Sequence, residues 1–520
     1  MRTRFLEWFI VAATCLASAL VAAADPRPNF VIILADDMGF SDPGCYGGEI
    51  QTPHLDRLAA EGMRFSQFYN CALCGPSRAA LMTGIEPHQA GILDWTGLLN
   101  ERSVTVFELL KKAGYSTCAT GRLDMVTSEN WHDPEAIGRH VDRFFGSTGH
   151  KGPGNYFKDV RNTEFYLEGK PYSIPEGGYK TDLISDYAVR FLHERPKDRP
   201  FLLYLSHYAP HWPLHAKPED IAKYRELYRR LGWDRGREER LARLVAKGLI
   251  PSGTVLAERD PRAQPWEAAE FPEWEAERMA VYAAQIDCLD QGVGRVMKAL
   301  EETGAGKNTL VLFLSDNGSA DTAVGNLDRD GQTWRSDGTP TRAGNRPENV
   351  PGPADTFVTA GPAWSMLANA PLRNHKRSAF EGGIASPLIA WWPQGIRNRG
   401  GVSDELTHLT DLPATLLDLA GAAYPSTWQG RSVALAAGRS LAPLWREGKR
   451  DGHESLCWTI SGHRAVREGA WKLVAPKGSP WELYDLSTDR GERNNLADAH
   501  PERVASMAAR HAAWQSNQGE

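Results

Sequence analysis

Continuous apolar runs of strand length recur along the chain, and stretches with helical periodicity separate them. The apolar runs lie at residues 30–34, 201–206 and 309–314, and a further predicted strand lies at residues 115–120. Unbroken runs of this kind are typical of strands that are buried on both faces. The helical stretches lie at residues 52–62, 104–113, 181–194 and 279–300. This alternation of strand and helix predicts a parallel α/β sheet with helices on both faces.

The pattern changes from about residue 440 onward. Short strand-like segments joined by turns lie at residues 458–460, 463–467, 470–475 and 481–486, and a polar helical stretch follows at residues 501–514. These features predict a small antiparallel sheet with a closing helix. We therefore expect a large N-terminal domain over residues 25–440 and a small C-terminal subdomain over residues 441–520.

Two insertions interrupt the alternation of strand and helix. Residues 217–272 are dense in Arg and Glu, which predicts a solvated helical lid or flank rather than a nucleic-acid contact. Residues 321–370 are rich in Gly, Pro, Asp and Asn, and they contain Trp334 and Trp364. A loop of this length inside a compact domain is usually functional or disordered. Because it directly follows a predicted strand, it is our candidate for shaping a ligand pocket.

The composition is that of a soluble globular protein, with 42% hydrophobic and 24% charged residues in a chain of 520. A formal net charge of −6 gives no basis for binding nucleic acid. It also fits poorly with attraction of an anionic polymer by bulk positive charge. Any recognition of an anion must therefore be local.

The N-terminus has the features of a secretory signal peptide over residues 1–24. Arg2 and Arg4 precede an apolar run at residues 8–20, and three alanines at residues 22–24 supply small side chains for cleavage. The run is too short to span a membrane comfortably, and the residues before Cys15 make a poor lipobox. We therefore expect an exported protein, periplasmic or secreted, with no stable membrane anchor.

The chain contains seven cysteines. Cys15 would leave with the signal peptide, and Cys74 belongs to a motif discussed below. The other five are scattered along a long chain, which does not indicate a disulfide framework, and we expect most of them to be small core residues. No spacing of Cys and His resembles a zinc site.

Acidic residues follow two of the predicted strands. Asp36 and Asp37 come just after the first apolar run, and Asp316 and Asn317 follow the run at residues 309–314. Open α/β sheets bind ligands at the carboxyl ends of their strands. Three carboxylates and an amide oxygen at one such edge suit a hard divalent cation, Ca²⁺ before Mg²⁺. Taken alone, each pair is equally compatible with a turn or a helix cap.

Cys74 lies where a polar turn enters a short predicted helix. Pro76 suits the first helical turn, and residues 79–82 are good helix formers. The N–H groups and the dipole at a helix N-terminus favour an anion, and Arg78 follows about one turn later as a fixed cation. The pattern predicts an anion cradle with a sulfur nucleophile beside it. A buried cysteine next to an ordinary helix start is the alternative.

The stretch around Cys74 closely resembles the signature of type I sulfatases, in which this cysteine is oxidised to formylglycine. Cys74 is followed by Pro76, Ser77 and Arg78, and residues 81–84 read Leu-Met-Thr-Gly. The similarity covers essentially all of the mature chain, and the motifs occur in the order typical of the family. Several short segments also resemble the sequences of bacterial arylsulfatases. It implies an alkaline-phosphatase-like fold, which is a mixed, mostly parallel sheet sandwiched by helices, with a small C-terminal antiparallel sheet and a helix.

The resemblance also implies roles for single residues. Arg78 corresponds to the arginine that contacts the aldehyde hydrate. His211, within residues 210–213, corresponds to the histidine that contacts both the sulfate and the leaving group, and Lys376 corresponds to a lysine that contacts sulfate. The implied calcium ligands are Asp36, Asp37, Asp316, Asn317 and the formylglycine derived from Cys74.

One motif departs from the family pattern. Where the family usually carries Gly-Lys-Trp-His, this chain has Gly121-Arg122-Leu123-Asp124. Arg122 can replace a cationic contact to sulfate, although its planar fork differs from the point charge of a lysine. Asp124 replaces the histidine that helps to expel sulfate, and it adds negative charge there. The enzyme then has either an altered second step or a slowed turnover, and His132 is another candidate for the missing base.

The activity that the resemblance implies is hydrolysis of a carbohydrate or aryl sulfate ester. One hydroxyl of the hydrated formylglycine attacks sulfur, while Ca²⁺, Lys376 and Arg122 spread the charge on the sulfate oxygens. His211 acts as the general acid for the leaving group. Asp124 then accepts the proton of the second hydroxyl as sulfate is eliminated.

Two other functions stay open from the sequence. The same scaffold serves hydrolases of phosphate or phosphonate esters, and the change at Asp124 is compatible with a catalytically weakened glycan-binding relative. The implied partners are a sulfated carbohydrate or aryl sulfate substrate and a maturation enzyme that generates formylglycine.

Overall fold

The structure is a computed structural model that describes residues 27–94, 99–123, 140–147, 154–158, 165–323 and 340–517. The predicted signal peptide at residues 1–24 lies outside these ranges, as do Asp124, His132 and Trp334. Within the described ranges, ten strands form one central sheet, and four further strands form a small sheet near the C-terminus.

The central sheet is mixed, with a parallel centre and antiparallel pairings toward both edges. In spatial order its strands are Gly401–Ser403, Met63–Phe65, Leu388–Trp391, Thr309–Ser315, Asn29–Asp36, Phe201–Pro210, Ser116–Arg122, Arg143–Ser147, Phe165–Leu167 and Lys170–Tyr172. The five strands from Thr309–Ser315 to Arg143–Ser147 run parallel to one another. The three apolar runs of the sequence and the predicted strand at residues 115–120 all lie in this parallel centre, so the predicted fold class is confirmed.

Both faces of the parallel centre are covered, which explains why three of its strands contain unbroken apolar runs. In the strand Asn29–Asp36, Val31 and Ile33 belong to the apolar core on one face, whereas Phe30 and Ile32 belong to the core on the other. Helices on the first face include Pro53–Glu61, Lys180–Glu194, Arg225–Ala246 and Pro272–Glu302. Helices on the second face include Cys74–Thr83, Val106–Lys112, Asp411–Ala420 and Ala442–Glu447.

The insertion at residues 217–272 contains the helices Pro218–Ala222 and Arg225–Ala246. The prediction of a solvated helix is wrong for one face of the longer helix. Arg240 is fully buried, and its guanidinium lies 2.8 Å from Asp42 Oδ1 and 2.6 Å from Glu49 Oε1. Composition alone does not distinguish buried ion pairs of this kind from a solvated charged surface.

The described part of the second insertion forms the strand pair Arg342–Ala343 and Thr356–Phe357, followed by the helix Gly361–Ala368. Trp364 on this helix is fully buried and packs edge-on against Trp233. This tryptophan therefore contributes to the core rather than to a ligand pocket.

The small sheet is antiparallel, and its strands lie side by side in sequence order. They are Ser455–Ile460, His463–Glu468, Trp471–Ala475 and Glu482–Asp485. The helix Pro501–Ser516 closes the sheet through Met507, which packs with Val466, Leu473 and Leu483. The sheet and its closing helix are as predicted, and the boundary near residue 440 stays a prediction.

Short elements complete the described part of the chain. The strand Phe68–Tyr69 pairs with Thr407–His408, Thr427–Trp428 pairs with Arg431–Ser432, and the single-turn helix Glu381–Ile384 precedes the strand Leu388–Trp391. The six described cysteines are free, and five of them are buried, as expected for core residues. No described helix combines the length and the apolar character needed to cross a membrane.

Candidate active site

The parallel register brings the two acidic strand ends to the same edge of the sheet. Ala35 is the pairing partner of Ser315, so the residues that follow each strand are neighbours. Asp37 adopts a positive φ of 67°, which is an uncommon conformation for a residue with a side chain. Two contacts hold this turn, because the Asp37 N–H donates to Asp316 Oδ1 at 3.1 Å and the Met38 N–H donates to Ser315 Oγ at 3.0 Å.

Cys74 is buried and forms the first residue of the helix Cys74–Thr83. Its Sγ lies 3.6 Å from Asp36 Oδ1 and 4.0 Å from Asp37 Oδ1. One ligand atom from each of Asp36, Asp37, Cys74 and Asp316 fits within 4.8 Å of the other three. The helix start thus brings its sulfur against the acidic strand ends, as the sequence predicted.

Two arginines line the acidic group. Arg78, one turn into the same helix, donates from Nε and Nη2 to Asp316 Oδ2 at 3.2 and 3.0 Å and from Nη1 to Ser206 Oγ at 2.6 Å. Arg122, at the end of its strand, donates from Nη1 to Asp36 Oδ2 at 2.6 Å. Both arginines are almost fully buried, so their charges act in a medium of low polarity.

Lys376 and His211 lie next to the carboxylate of Asp37. The Lys376 ammonium lies 2.5 Å from Asp37 Oδ1 and 2.9 Å from Cys74 Sγ. His211 Nε2 lies 3.6 Å from Asp37 Oδ2, and its Nδ1 is 2.6 Å from the Trp212 carbonyl oxygen. The Tyr156 hydroxyl donates to the His211 carbonyl at 2.8 Å and so fixes the backbone of this turn.

The charges of the site perturb one another. Burial tends to raise the pKa of Asp36, but Arg122 and Arg78 outweigh burial and hold this pKa below its usual range. Burial and the nearby Asp36 raise the pKa of Asp316 even though Arg78 contacts it. Burial also raises the pKa of the Cys74 thiol, despite a nearby lysine ammonium. The carboxylates therefore repel one another, and a cation between them would relieve that repulsion.

Two buried oxygens at this edge accept no hydrogen bond from any described residue. They are Asp37 Oδ2 and Asn317 Oδ1. The Asn317 amide nitrogen donates to Asp37 Oδ1 at 2.7 Å, which leaves the amide oxygen as the atom without a donor. A buried oxygen without a partner is costly, and a hard divalent cation bound by oxygen ligands removes that cost. The donor set therefore fits Ca²⁺.

The structure brings together nine of the ten residues that the sequence singled out for the site. Asp36, Asp37, Cys74, Arg78, Arg122, His211, Asp316, Asn317 and Lys376 are connected by the contacts above. The tenth, Asp124, lies outside the described residues. The chemical role of each residue stays a prediction.

Sequence reasoning missed three residues that hold the site in shape. Ser206 binds Arg78, Ser315 binds the turn after Asp36, and Tyr156 binds the His211 turn. The two serines have a recognisable signal, because each is the first polar residue after a stretch of apolar side chains in the sequence. Tyr156 has no such signal, since it reaches the site from a segment distant in sequence.

Two family models match the chain. The model described as Sulfatase matches residues 28–422, and the model described as N-sulphoglucosamine sulphohydrolase, C-terminal, matches residues 374–513. Together they span both the central sheet and the small C-terminal sheet.

Several proteins with sequences similar to this chain are named as sulfatases. An uncharacterized sulfatase of Schizosaccharomyces pombe is 33% identical over 92% of this chain and 92% of its own length. An arylsulfatase of Klebsiella aerogenes is 32% identical over 78% of this chain and 89% of its own length. An N-acetylglucosamine-6-O-sulfatase of Bacteroides thetaiotaomicron is 26% identical over 92% of this chain and 85% of its own length.

The fold is also found among solved structures. The structure of Ps i-CgsB in complex with k-i-k-neocarrahexaose superimposes with a TM-score of 0.66 at 25% identity, covering 94% of this chain and 92% of that one. The matches thus extend over both sheets of the molecule. The chain belongs to the type I sulfatase family, and it is an enzyme that hydrolyses sulfate esters.

Proposed function

We propose that this sulfatase removes sulfate from a carbohydrate or aryl sulfate ester, with formylglycine at position 74 and Ca²⁺ at the strand ends. The observation that carries the proposal is the buried group of Asp36, Asp37, Asp316 and Cys74, which has two unpartnered oxygens beside it. The names of the similar arylsulfatase and N-acetylglucosamine-6-O-sulfatase support the two ester classes.

The surroundings of Cys74 argue that a plain thiol is not the nucleophile. Burial raises the pKa of this thiol, and the neighbouring carboxylates add to the effect, so the reactive thiolate is scarce at neutral pH. Oxidation to formylglycine by a maturation enzyme replaces the thiol by an aldehyde, whose hydrate supplies hydroxyl groups. We therefore expect position 74 to act only after that oxidation.

The ligands for Ca²⁺ are the carboxylates of Asp36, Asp37 and Asp316, the amide oxygen of Asn317 and residue 74. When bound, the cation would lower the pKa of a neighbouring hydroxyl and neutralise charge on a sulfate oxygen. The carboxylates of this site and its two arginines are too deeply buried to change partners with solvent. Their geometry is therefore preorganised for a charged ligand.

Three cations are placed to hold the sulfate group. Arg78 is fixed by Asp316 and Ser206, so its guanidinium has a defined orientation. Arg122 and Lys376 lie on different carboxylates of the site, which lets them contact different oxygens of one tetrahedral anion. We propose that these three side chains share the negative charge of the sulfate ester.

His211 is the proposed acid for the leaving group. The Trp212 carbonyl accepts a hydrogen bond from Nδ1, which leaves Nε2 as the ring atom that exchanges a proton within the site. Burial lowers the pKa of His211, although Asp37 and Asp36 oppose that effect, so protonation of this ring depends on nearby negative charge. A bound sulfate ester supplies such charge. Asp124 is proposed to act as the base when sulfate is released.

We also propose export of the chain to the periplasm or the medium. The support is the signal peptide predicted at residues 1–24. Sequencing of the N-terminus of the mature protein tests this proposal, with a new terminus near Asp25 as the expected result.

Mass spectrometry of the peptide that contains position 74 tests the proposed function together with turnover assays. The protein is produced with a formylglycine-generating enzyme and compared with Cys74→Ala on 4-nitrophenyl sulfate, sulfated monosaccharides and 4-nitrophenyl phosphate. We expect the aldehyde at position 74, hydrolysis of sulfate esters, and no turnover by Cys74→Ala. Sulfate-ester turnover by protein that retains the thiol would contradict the proposal, and preferential turnover of the phosphate ester would favour a phosphatase.

A further inference from the structure

A second buried group of charges lies between the C-terminal sheet and the central sheet. We call it the Glu381 cluster, and its members are Tyr69, Glu381, Lys472, Arg490 and Glu492. Lys472 Nζ lies 2.9 Å from Glu381 Oε1 and 2.8 Å from Glu492 Oε1, and Arg490 Nη2 lies 2.8 Å from Glu381 Oε2. All five side chains are almost completely buried.

The members of the cluster come from two parts of the molecule. Lys472 lies on the strand Trp471–Ala475 of the small sheet, and Arg490 and Glu492 follow the last strand of that sheet. Glu381 begins the helical turn Glu381–Ile384, only five residues after Lys376. The cluster therefore ties the C-terminal sheet to the segment that carries the sulfate-binding lysine.

The Glu381 turn also packs directly on the acidic strand end. The Gly318 N–H donates to the Gly383 carbonyl at 3.2 Å, and a Cβ at Gly318 would lie 1.8 Å from the Gly382 carbonyl oxygen. The Gly382 N–H donates to the Arg373 carbonyl at 2.7 Å, and the Lys376 N–H donates to Ser319 at 3.1 Å. No space remains for the turn to shift without moving Lys376 or the residues next to Asn317.

A second connection leads to the nucleophile. The Tyr69 hydroxyl donates to Glu381 Oε2 at 3.0 Å, and Tyr69 ends a strand five residues before Cys74. The Arg377 N–H donates to the Ala72 carbonyl at 2.8 Å, which joins the lysine segment to the turn before Cys74. The segments that carry Lys376 and Cys74 are therefore joined to each other, and each contains or adjoins a member of the Glu381 cluster.

A contribution to folding stability alone does not explain a buried cluster of this kind. Buried ion pairs often contribute little net stability, because the loss of hydration offsets their attraction, yet removal of one partner leaves an uncompensated charge. Such pairs instead fix one relative geometry of the groups that they join. We propose that the Glu381 cluster positions Lys376 and the nucleophile segment, so that the C-terminal sheet acts as a positioning element of the active site. This inference rests on the proposed role of Lys376.

Two variants of the cluster test the inference. Glu492→Gln is the milder one, since one Glu492 oxygen accepts from the Glu381 N–H and the other forms an ion pair with Lys472 Nζ, and a neutral amide cannot serve both. Lys472→Met is the stronger one. The matched control is Asp287→Asn, which alters a buried carboxylate that accepts from Lys223 Nζ at 3.0 Å and from the Tyr224 hydroxyl at 2.8 Å. Asp287 contacts none of the site residues.

The measurements are thermal unfolding, kcat and KM with 4-nitrophenyl sulfate, and the affinity for inorganic sulfate by calorimetry, all on formylglycine-containing protein with Ca²⁺. We expect Glu492→Gln and Lys472→Met to lower kcat by about 10- to 100-fold at temperatures where each variant is folded, because displacement of a catalytic group by about 1 Å has effects of that size. We also expect weaker sulfate binding. Asp287→Asn should unfold at a lower temperature yet keep the wild-type kcat and sulfate affinity.

The inference is overturned if both folded cluster variants keep the wild-type kcat and sulfate affinity, or if Asp287→Asn loses activity to the same extent. If Lys472→Met does not fold, the kcat and sulfate affinity of Glu492→Gln alone test the inference. If 4-nitrophenyl sulfate is not turned over, the sulfate affinities measured by calorimetry test it. Lys376→Ala is measured in parallel. Wild-type behaviour of that variant would refute the role of Lys376, whereas its loss of activity beside an intact Glu492→Gln would refute only the positioning role of the cluster.

Discussion

The active site and the Glu381 cluster are both buried groups of acidic and basic side chains, but their carboxylates differ in how they are partnered. In the cluster, each oxygen of Glu381 and Glu492 lies within 3.0 Å of a nitrogen or a hydroxyl group, although Glu492 Oε1 meets Lys472 Nζ as an ion pair rather than in hydrogen-bond geometry. In the active site, Asp37 Oδ2 accepts no hydrogen bond from a described residue, and His211 Nε2 lies 3.6 Å from it. Buried charge that is fully paired fixes structure, whereas incompletely paired oxygens are available to a ligand.

Substitution of a carboxylate in each region gives the largest contrast. Asp316→Asn should lower kcat by about 10²- to 10³-fold, because it removes a charge that organises the cation and Arg78. Without Ca²⁺ it should lower the unfolding temperature less than Glu492→Gln does, because relief of the repulsion among the carboxylates offsets the lost ion pair with Arg78. Glu492→Gln has no such offset and should lower the unfolding temperature more. Kinetics and calorimetric unfolding of both variants check this, and a similar loss of stability in both would break the comparison.

Removal of Ca²⁺ distinguishes the two regions next. A ligand that binds only the folded state at about 100 times its Kd adds about 2.7 kcal/mol of stability. The wild type and Glu492→Gln should both unfold at a lower temperature after EGTA treatment, and Asp316→Asn should respond little. The unfolding temperature with and without Ca²⁺ measures this effect. No response of the wild type would argue against a calcium site at the strand ends.

Variants of Arg122 test whether this active-site cation contacts the substrate. Arg122→Ala should lower kcat/KM by about 100-fold, the size expected on loss of one charged contact to the transition state. Arg122→Lys keeps the charge but not the planar fork, and we expect it to retain most of the activity. Steady-state kinetics on 4-nitrophenyl sulfate separate the two variants. Equal activity of Arg122→Ala and wild type would show that this arginine only neutralises Asp36.

The smallest effect concerns a buried carboxylate in neither region. Asp290 accepts the backbone N–H groups of His54 and Leu55 at 3.1 and 2.8 Å, and burial raises its pKa from 3.8 to about 7. Because the folded state holds this proton more tightly than the unfolded state, the stability that it contributes is present below pH 4 and is lost as the pH rises toward 7. Asp290→Asn should remove this component.

Unfolding temperatures of the wild type and Asp290→Asn at pH 5 and pH 8 measure that component. The variant should gain stability relative to the wild type at the higher pH. A constant difference between the two proteins across this pH range would show that Asp290 stays ionised in the folded state.

The sequence was sufficient for the strand ends because two independent signals coincide there. Asp36 and Asp316 each follow an unbroken apolar run, and parallel strands end at one edge of a sheet, so their proximity follows from pattern alone. Cys74 and Arg78 were found through a local helix start together with a family signature. These features depend on residues that are close in sequence or related by the simplest sheet geometry.

The Glu381 cluster was not predictable in the same way. Lys472 and Glu492 are polar residues in a polar part of the chain, and only the packing of the small sheet on the central sheet buries them against Glu381. Arg240 shows the same limit, because the apolar residues of its helix mark one buried face but do not reveal which arginine is buried with them. Trp364 illustrates the converse, since it lies in the insertion expected to shape a ligand pocket yet belongs to the core.

The central claim is that the acidic strand ends hold a divalent cation against residue 74. A crystal structure of formylglycine-containing protein grown with Ca²⁺, with the anomalous signal used to locate the ion, tests it most directly. We predict one ion bound by Asp36, Asp37, Asp316 and Asn317, with residue 74 beside it and with Asp37 Oδ2 and Asn317 Oδ1 among the ligands. An empty site at saturating Ca²⁺, or an ion bound elsewhere while these two oxygens keep no partner, would contradict the account.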